Sequence, residues 1–141
     1  MKHLLALAAL TGCLTATCAW AQDWRFDIPF AFHVGEARLS AGTYTVHTYQ
    51  QSMNLVKFVS RISAKEQAAA MVFYDKGGFP KAAKLVFTRY GNQEYFLSEI
   101  WDPGYSRAAK AVKSKQELVT SKLVARLVPE KIEVRATASG Q

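Results

Sequence analysis

The chain has 141 residues, and its 18 lysines and arginines exceed its 11 aspartates and glutamates, giving a formal net charge of +7 at pH 7. This length suits one domain with one hydrophobic core. The basic excess forms no dense tract, so it argues against nucleic-acid binding and favours contact with anionic surfaces. No apolar run after residue 21 approaches the roughly 20 residues that a membrane-spanning helix needs.

The N-terminus has the layout of a secretory signal peptide. Lys2 supplies a positive start, residues 4–10 form an apolar run, and residues 19–21 (AWA) make a small-x-small cleavage site. The sequence therefore predicts a signal peptide over residues 1–21. It also predicts that the protein works outside the cytoplasm, either secreted or periplasmic.

This leader carries both cysteines of the chain. Cleavage after residue 21 would remove Cys13 and Cys18 and leave a single disulfide-free, β-rich domain over residues 22–141. A second interpretation stays open, because residues 10–13 (LTGC) resemble a bacterial lipobox, whose cysteine is lipidated and becomes the new N-terminus. The protein would then be anchored to a membrane through Cys13.

The clearest periodicity follows the leader. Large apolar residues occupy every second position, and the set is Trp24, Phe26, Ile28, Phe30, Phe32 and Val34. Because strand side chains alternate between two faces, this pattern predicts a half-buried strand. Pro29 lacks an N–H, so the strand is expected to be an edge, or to bulge or bend there. His33 lies in the polar phase and is expected to be exposed.

Turn residues divide the rest of the chain into short strands. Glycine, proline, asparagine and aspartate recur between apolar stretches, and each has its own turn chemistry. A tight hairpin is predicted around Gly91 and Asn92. The predicted strands are residues 37–39, 43–49, 55–62, 70–75, 84–90, 94–101 and 131–137.

One helix is predicted near the C-terminus. Ser114 and Glu117 match a capping box, in which each side chain satisfies a backbone N–H of the other residue. The helix would run over residues 115–126 and stop before Pro129. Its apolar stripe would consist of Val119, Leu123 and Leu127.

Short, evenly spaced strands with hairpin turns predict a mainly β fold. The expected architecture is an antiparallel β-sandwich or a small β-barrel with one C-terminal amphipathic helix, which would cover an open end or edge. Parallel βαβ organisation is not expected, because helical segments do not alternate with the strands.

Several segments resemble a group of small exported bacterial proteins common in soil bacteria of the acidobacterial type. Residues 27–35 (DIPFAFHVG) match a DIPFxFxVG motif, and residues 39–46 (LSAGTYTV) match LPAGxYxV with Ser40 in place of the usual proline. Segments like residues 84–91 and 95–101 and a Ser-x-x-Glu helix start follow in the group. The resemblance implies export and a common fold, and it implies no chemistry because the group has no assigned activity.

No residue set predicts a catalytic, cofactor or metal site. His33 and His47 are the only histidines after the leader, whereas a zinc site needs three or four converging ligands. The sequence contains no serine-nucleophile elbow and no glycine-rich phosphate loop. Glu99 lies on a predicted strand and Asp102 opens a turn, which favours an ion pair or a turn cap over paired catalytic carboxylates.

Basic residues on the predicted helix are the strongest functional lead. Lys115, Lys122 and Arg126 follow one another at spacings of 7 and 4 residues, which places them on one face as candidate contacts to an anionic surface. We therefore expect an exported, non-catalytic binding module whose partner is an anionic envelope polymer, lipid headgroups or a protein. Two alternatives stay open: a small β-barrel that carries an apolar ligand, and an unrecognised hydrolase with a histidine–carboxylate cleft.

Overall fold

The computed structural model describes residues 23–49, 54–91, 94–104 and 107–140. The predicted signal peptide, Cys13, Cys18 and Asn92 of the predicted hairpin tip lie outside the described residues. What was inferred for them stays a prediction.

Strands occupy most of the described chain. They are β1 (Asp23–Ile28), β2 (Phe32–Val34), β3 (Ala37–Leu39), β4 (Gly42–Tyr49), β5 (Leu55–Ser60), β6 (Gln67–Lys76), β7 (Lys84–Tyr90), β8 (Glu94–Trp101), β9 (Arg107–Ala111), β10 (Glu130–Arg135) and β11 (Ala138–Gly140). The helix α1 (Lys115–Leu123) lies between β9 and β10.

Nine of these strands form one hydrogen-bonded path, in the order β10-β7-β8-β9-β6-β5-β4-β1-β11. The long strand β6 joins its two halves, because residues 67–71 pair with β5 and residues 72–76 pair with β9. We call β6-β5-β4-β1-β11 the first sheet and β10-β7-β8-β9-β6 the second sheet. β3 pairs with β2, and β2 lies parallel to β8, whereas the other pairings between described strands are antiparallel.

The predicted fold class is confirmed. Over the described residues the fold is mainly β and sandwich-like, with one helix near the C-terminus. The path of strands does not close into a barrel, which decides between the two architectures that the sequence left open.

The first predicted strand is divided at Pro29. β1 lies between β4 and β11 in the first sheet, whereas β2 joins β8 in the second sheet. The chain bends between them, as expected of a residue that cannot donate to a ladder. Apolar alternation continues across the bend because both strands face one core, and Ile28 and Phe32 are both buried in it.

Large side chains fill the space between the sheets. The Phe32 ring lies 5.2 Å from Tyr44, 5.9 Å from Phe58 and 5.4 Å from Phe87, measured between ring centroids. Burial of each such side chain stabilises the fold by about 1.5–3 kcal/mol before entropy losses. The most deeply buried members are Phe26, Ile28, Phe32, Val34, Tyr44, Val46, Val56, Phe58, Leu85 and Phe87.

Two strands were not predicted. β9 has the sequence RAAKA, and without β-branched or aromatic residues it gives little strand signal. The short strand β11 follows β10 closely and pairs with β1. β7 and β8 occupy the predicted residues.

Gly35, between β2 and β3, provides a test of the packing between strands. Its φ is +57°, and a Cβ atom there would lie 2.9 Å from the carbonyl oxygen of Ala69. We expect Gly35→Ala to lower the free energy of unfolding by at least about 1–2 kcal/mol, the cost of a left-handed conformation with a Cβ. The urea midpoint measures this loss. Gly78→Ala is the matched control, because its Cβ would have open space around it, and equal midpoints for the two variants would contradict the prediction.

Candidate functional site

The chain between β9 and β10 has to cross the second sheet. β9 pairs with β8, whereas β10 pairs with β7 on the far side. We call residues 112–129, which make this connection and contain α1, the crossover segment. Leu85 and Phe87 of β7 belong to the core. Thr88 and Tyr90 alternate with them along the strand, so they lie on the opposite, outer face, which the crossover segment covers.

The start of α1 is fixed at two points. Ser114 has extended backbone angles, and its hydroxyl accepts a hydrogen bond from the backbone N–H of Glu117 at 3.1 Å, as the predicted cap requires. Glu36 in the β2–β3 turn accepts from the backbone N–H of Lys115 at 3.0 Å. The Glu117 carboxylate does not complete the capping box, because it accepts a hydrogen bond from the Tyr90 hydroxyl at 3.0 Å.

Glu117 is the buried anchor of the crossover segment, with only 5% of its surface exposed. Burial raises the pKa of its carboxyl above the ordinary value of 4.5, and the Tyr90 hydrogen bond and the nearby Lys113 and Lys131 ammonium groups oppose this shift. Burial and the nearby Glu117 raise the pKa of Tyr90 to about 12. The phenol therefore stays protonated and remains a donor at neutral pH.

A cleft of about 710 Å³ lies between the crossover segment and the outer face of the second sheet. This volume falls in the range of about 300–1,000 Å³ that is usual for small-molecule sites. Its apolar lining comes from Phe73, Ala111, Val112 and Pro129. Its polar lining comes from Thr88, Tyr90, Ser98, Glu99, Lys110, Lys113, Glu117 and Lys131.

Hydrogen bonds connect the polar groups on the sheet side of the cleft. The Lys131 ammonium donates to the Thr88 hydroxyl at 3.0 Å, and Thr88 is hydrogen-bonded to Ser98. Lys110 forms an ion pair with Asp75 at 2.7 Å. These contacts hold two hydroxyl groups and two ammonium groups in place beside the cleft.

The predicted contact residues Lys115, Lys122 and Arg126 are all exposed. Lys115 and Lys122 lie on α1, but the helix ends at Leu123, so Arg126 belongs to the following turn. The predicted helix over residues 115–126 was therefore too long at its C-terminal end. The three side chains still lie within 12 consecutive residues of one solvent-facing segment.

The apolar stripe predicted for the helix is exposed. Val119 and Leu127 are more than half exposed, Leu123 is 81% exposed and the neighbouring Val128 is 89% exposed. Six of the ten exposed large apolar side chains among the described residues belong to the crossover segment. Glu117, the buried residue of α1, is acidic. The helix thus directs a carboxylate to the sheet and its aliphatic side chains to the solvent.

The two histidines are paired with carboxylates. His33 is only 9% exposed, so the expectation that it is exposed was wrong: it stacks on Phe96 with the ring centroids 4.4 Å apart and pairs with Glu94 at 2.5 Å. His47 pairs with Asp23 at 2.6 Å. Neither histidine lines the cleft. Within the described ranges, no three His, Cys, Asp or Glu side chains are grouped as metal ligands would be.

The two neighbouring acids Glu99 and Asp102 have separate structural contacts. Asp102 accepts a hydrogen bond from the backbone N–H of Gly104 at 2.8 Å, which is the turn cap that the sequence favoured. Glu99 accepts from the Trp101 indole N–H at 2.9 Å. This arrangement is not that of two carboxylates facing each other across a bound substrate.

Sequence reasoning did not bring the inward-facing residues of the site together. It assigned Glu117 to helix capping, counted Lys113 and Lys131 only as members of a basic cluster near the C-terminus, and counted Tyr90 only among the tyrosines that could line a ligand cavity. β9 was not predicted, and the crossover could not be predicted without it. The chain has to cross the outer face because β9 and β10 lie on opposite sides of β7 and β8.

Comparisons of the chain with protein-family models, with curated proteins and with solved structures found no match in any of the three. The resemblance to exported proteins of soil bacteria therefore stays a prediction. Among the helices of the described ranges, none has the length and apolarity required to cross a membrane.

Glu117→Gln tests the buried carboxyl through the pH dependence of stability. A pKa that is raised in the folded protein means that the unfolded chain ionises first as the pH rises through 4.5. The stability of the native protein relative to the Gln variant should therefore fall as the pH rises above 4.5 and level off above the folded pKa. Urea unfolding of both proteins across this range measures the difference. A difference that is constant with pH, or grows with it, would contradict the raised pKa.

Proposed function

We propose that the protein is an exported, non-catalytic binding module that attaches to an anionic lipid surface through the outer side of the crossover segment. One observation carries the proposal: exposed aliphatic and basic side chains occur together on that segment. Leu123 and Val128 are almost fully exposed, and Lys122 and Arg126 lie beside them in the sequence. This is the composition of segments that lie in a membrane interface.

The aliphatic side chains provide the apolar part of the attachment. Water-exposed Leu123 and Val128 gain about 1.5–3 kcal/mol each when they are fully buried in an apolar phase. Val119 and Leu127, which are more than half exposed, belong to the same segment. Val119 lies on α1, whereas Leu127 and Val128 lie in the irregular stretch that follows the helix.

The cations provide the electrostatic part. A lysine or arginine near an anionic membrane contributes about 1 kcal/mol, and the attraction falls off within a Debye length of about 10 Å at 0.1 M salt. Lys115, Lys122 and Arg126 are exposed, and none of them forms an ion pair within 4.0 Å with a carboxylate among the described residues. Their charges are available to a partner.

Lipid fits these residues better than the other anionic partners considered. An anionic envelope polymer would attract Lys115, Lys122 and Arg126 equally well, but it would leave Leu123 and Val128 in water. A lipid surface satisfies both sets at once, because its headgroups are charged and its acyl region is apolar.

The predicted leader supports the proposed location. Export would bring the domain to the envelope, either in the periplasm or outside the cell, where it would meet anionic headgroups. If residue 13 is a lipid-modified cysteine, the same attachment would orient a tethered domain, since a single acyl chain binds membranes only weakly and reversibly. The carrier alternative called for a closed barrel with an internal cavity, whereas the path of strands is open and the interior is filled with side chains.

Sedimentation with lipid vesicles tests the proposal. The native protein should bind vesicles of phosphatidylglycerol and phosphatidylcholine, bind less as salt is raised, and leave pure phosphatidylcholine vesicles largely unoccupied. Leu123→Ser combined with Val128→Ser should weaken binding by about tenfold or more. Lys115→Gln, Lys122→Gln and Arg126→Gln together should weaken it by about a hundredfold at low salt, at about 1 kcal/mol per charge.

A matched control comes from the turn between β5 and β6. Ile62 is 84% exposed and Lys65 is exposed, so Ile62→Ser with Lys65→Gln removes one aliphatic group and one charge at a distant site. This variant should bind as the native protein does. The proposal fails if the control loses as much binding as the crossover variants. It also fails if the protein binds a soluble anionic polysaccharide but not the vesicles.

A further inference from the structure

The cleft beneath the crossover segment has two ammonium groups near one buried carboxyl. Lys113 precedes α1 and Lys131 lies on β10, and both charges act on Glu117. Among the described residues, neither lysine has a carboxylate within 4.0 Å, whereas Lys110 is paired with Asp75. Glu99 also lines the cleft, but its charge acts on Lys110. Around Glu117, Lys113 and Lys131 therefore leave one positive charge in excess.

Oriented hydroxyl groups lie beside these cations. Thr88 accepts from the Lys131 ammonium and is hydrogen-bonded to Ser98, and both line the cleft. Hydroxyl groups fixed in this way can donate to or accept from a bound group without large reorganisation. The Tyr90 hydroxyl is directed to Glu117, which keeps that carboxyl oriented toward the phenol.

The cleft also has an apolar lining. Phe73 of β6 and Val112 at the start of the crossover segment are each about half exposed, and Ala111 and Pro129 line the cleft as well. Small-molecule sites usually combine apolar lining with a few polar groups that fix the orientation of the ligand.

We infer that this cleft binds a small amphipathic anion. A carboxylate or phosphate head lies between Lys113 and Lys131, within reach of Thr88 and Ser98, and an aliphatic or aromatic body lies against Phe73 and Val112. The charge of the head supplies the counter-charge that the two ammonium groups lack. This site is distinct from the outer side of the crossover segment and does not depend on attachment to lipid.

Calorimetric titration with four eight-carbon probes tests the inference in the absence of vesicles. Octanoate and octyl phosphate should bind, and octanol and octylammonium should bind at least about tenfold more weakly, because a hydrogen-bonded charge pair is lost. The anion that binds with the higher affinity identifies the preferred head group. Equal affinity for octanoate and octylammonium, or no binding of any probe, would overturn the inference.

Variants of residues that line the cleft test whether the probes bind there. Lys113→Gln and Lys131→Gln should each weaken octanoate binding by about tenfold and leave octanol binding unchanged, whereas Lys65→Gln in the distant turn should have no effect. Ala111→Phe should fill the cleft and abolish binding of all four probes. If that variant does not fold, the octanoate affinities of the two lysine variants and the selectivity among the four head groups test whether the probes bind in the cleft.

Leu123→Ser separates this site from the proposed lipid surface. It should weaken vesicle binding and leave octanoate affinity unchanged. Loss of octanoate binding in Leu123→Ser, with binding retained in Ala111→Phe or in both lysine variants, would place the probe on the outer surface and overturn the inference. Failure of vesicle binding alone would contradict the proposed function and leave the cleft result intact.

Discussion

The hydrogen bond between the Tyr90 phenol and the Glu117 carboxylate is the contact on which the geometry of the candidate site depends. The order of strands forces the chain to cross β8 and β7 between β9 and β10, and this bond fixes where it crosses. With the carboxylate held against the sheet, six of the other eight side chains of α1 are exposed. The cleft on one side and the exposed aliphatic groups on the other are both consequences of that orientation.

This arrangement inverts the usual organisation of a surface helix. Such a helix ordinarily directs an apolar stripe to the core and polar groups to water. Here the sheet face below is lined by Thr88, Ser98 and Tyr90, which require polar partners, because a buried polar group without a hydrogen bond costs about 1–3 kcal/mol. Glu117 supplies such a partner, and Leu123 and Val128 are left in water. Their exposure is therefore a property of the sheet below as well as of the helix.

Most of the sheet could be predicted from the sequence, because alternation and turn residues are local signals. β7 and β8 have the predicted bounds, and the bend at Pro29 follows from the missing N–H of one residue. β9 could not be predicted in the same way. Its five residues have no strand signal of their own, and they become a strand by pairing with β6 and β8. The crossover, and with it the cleft, depends on that non-local pairing.

His33 shows why the site was harder to predict than the fold. A period of two places Phe32 and Val34 on one face and His33 on the other, and this division is correct. Periodicity does not show whether one or both faces of a strand are covered by other parts of the chain. The second face of β8 carries Phe96 and Glu94, which stack on and pair with His33, and the start of α1 is tied to the neighbouring turn through Glu36. A polar residue on the outer face is thus buried because a distant segment covers that face, and the same covering turns a capping glutamate into the anchor of a cleft.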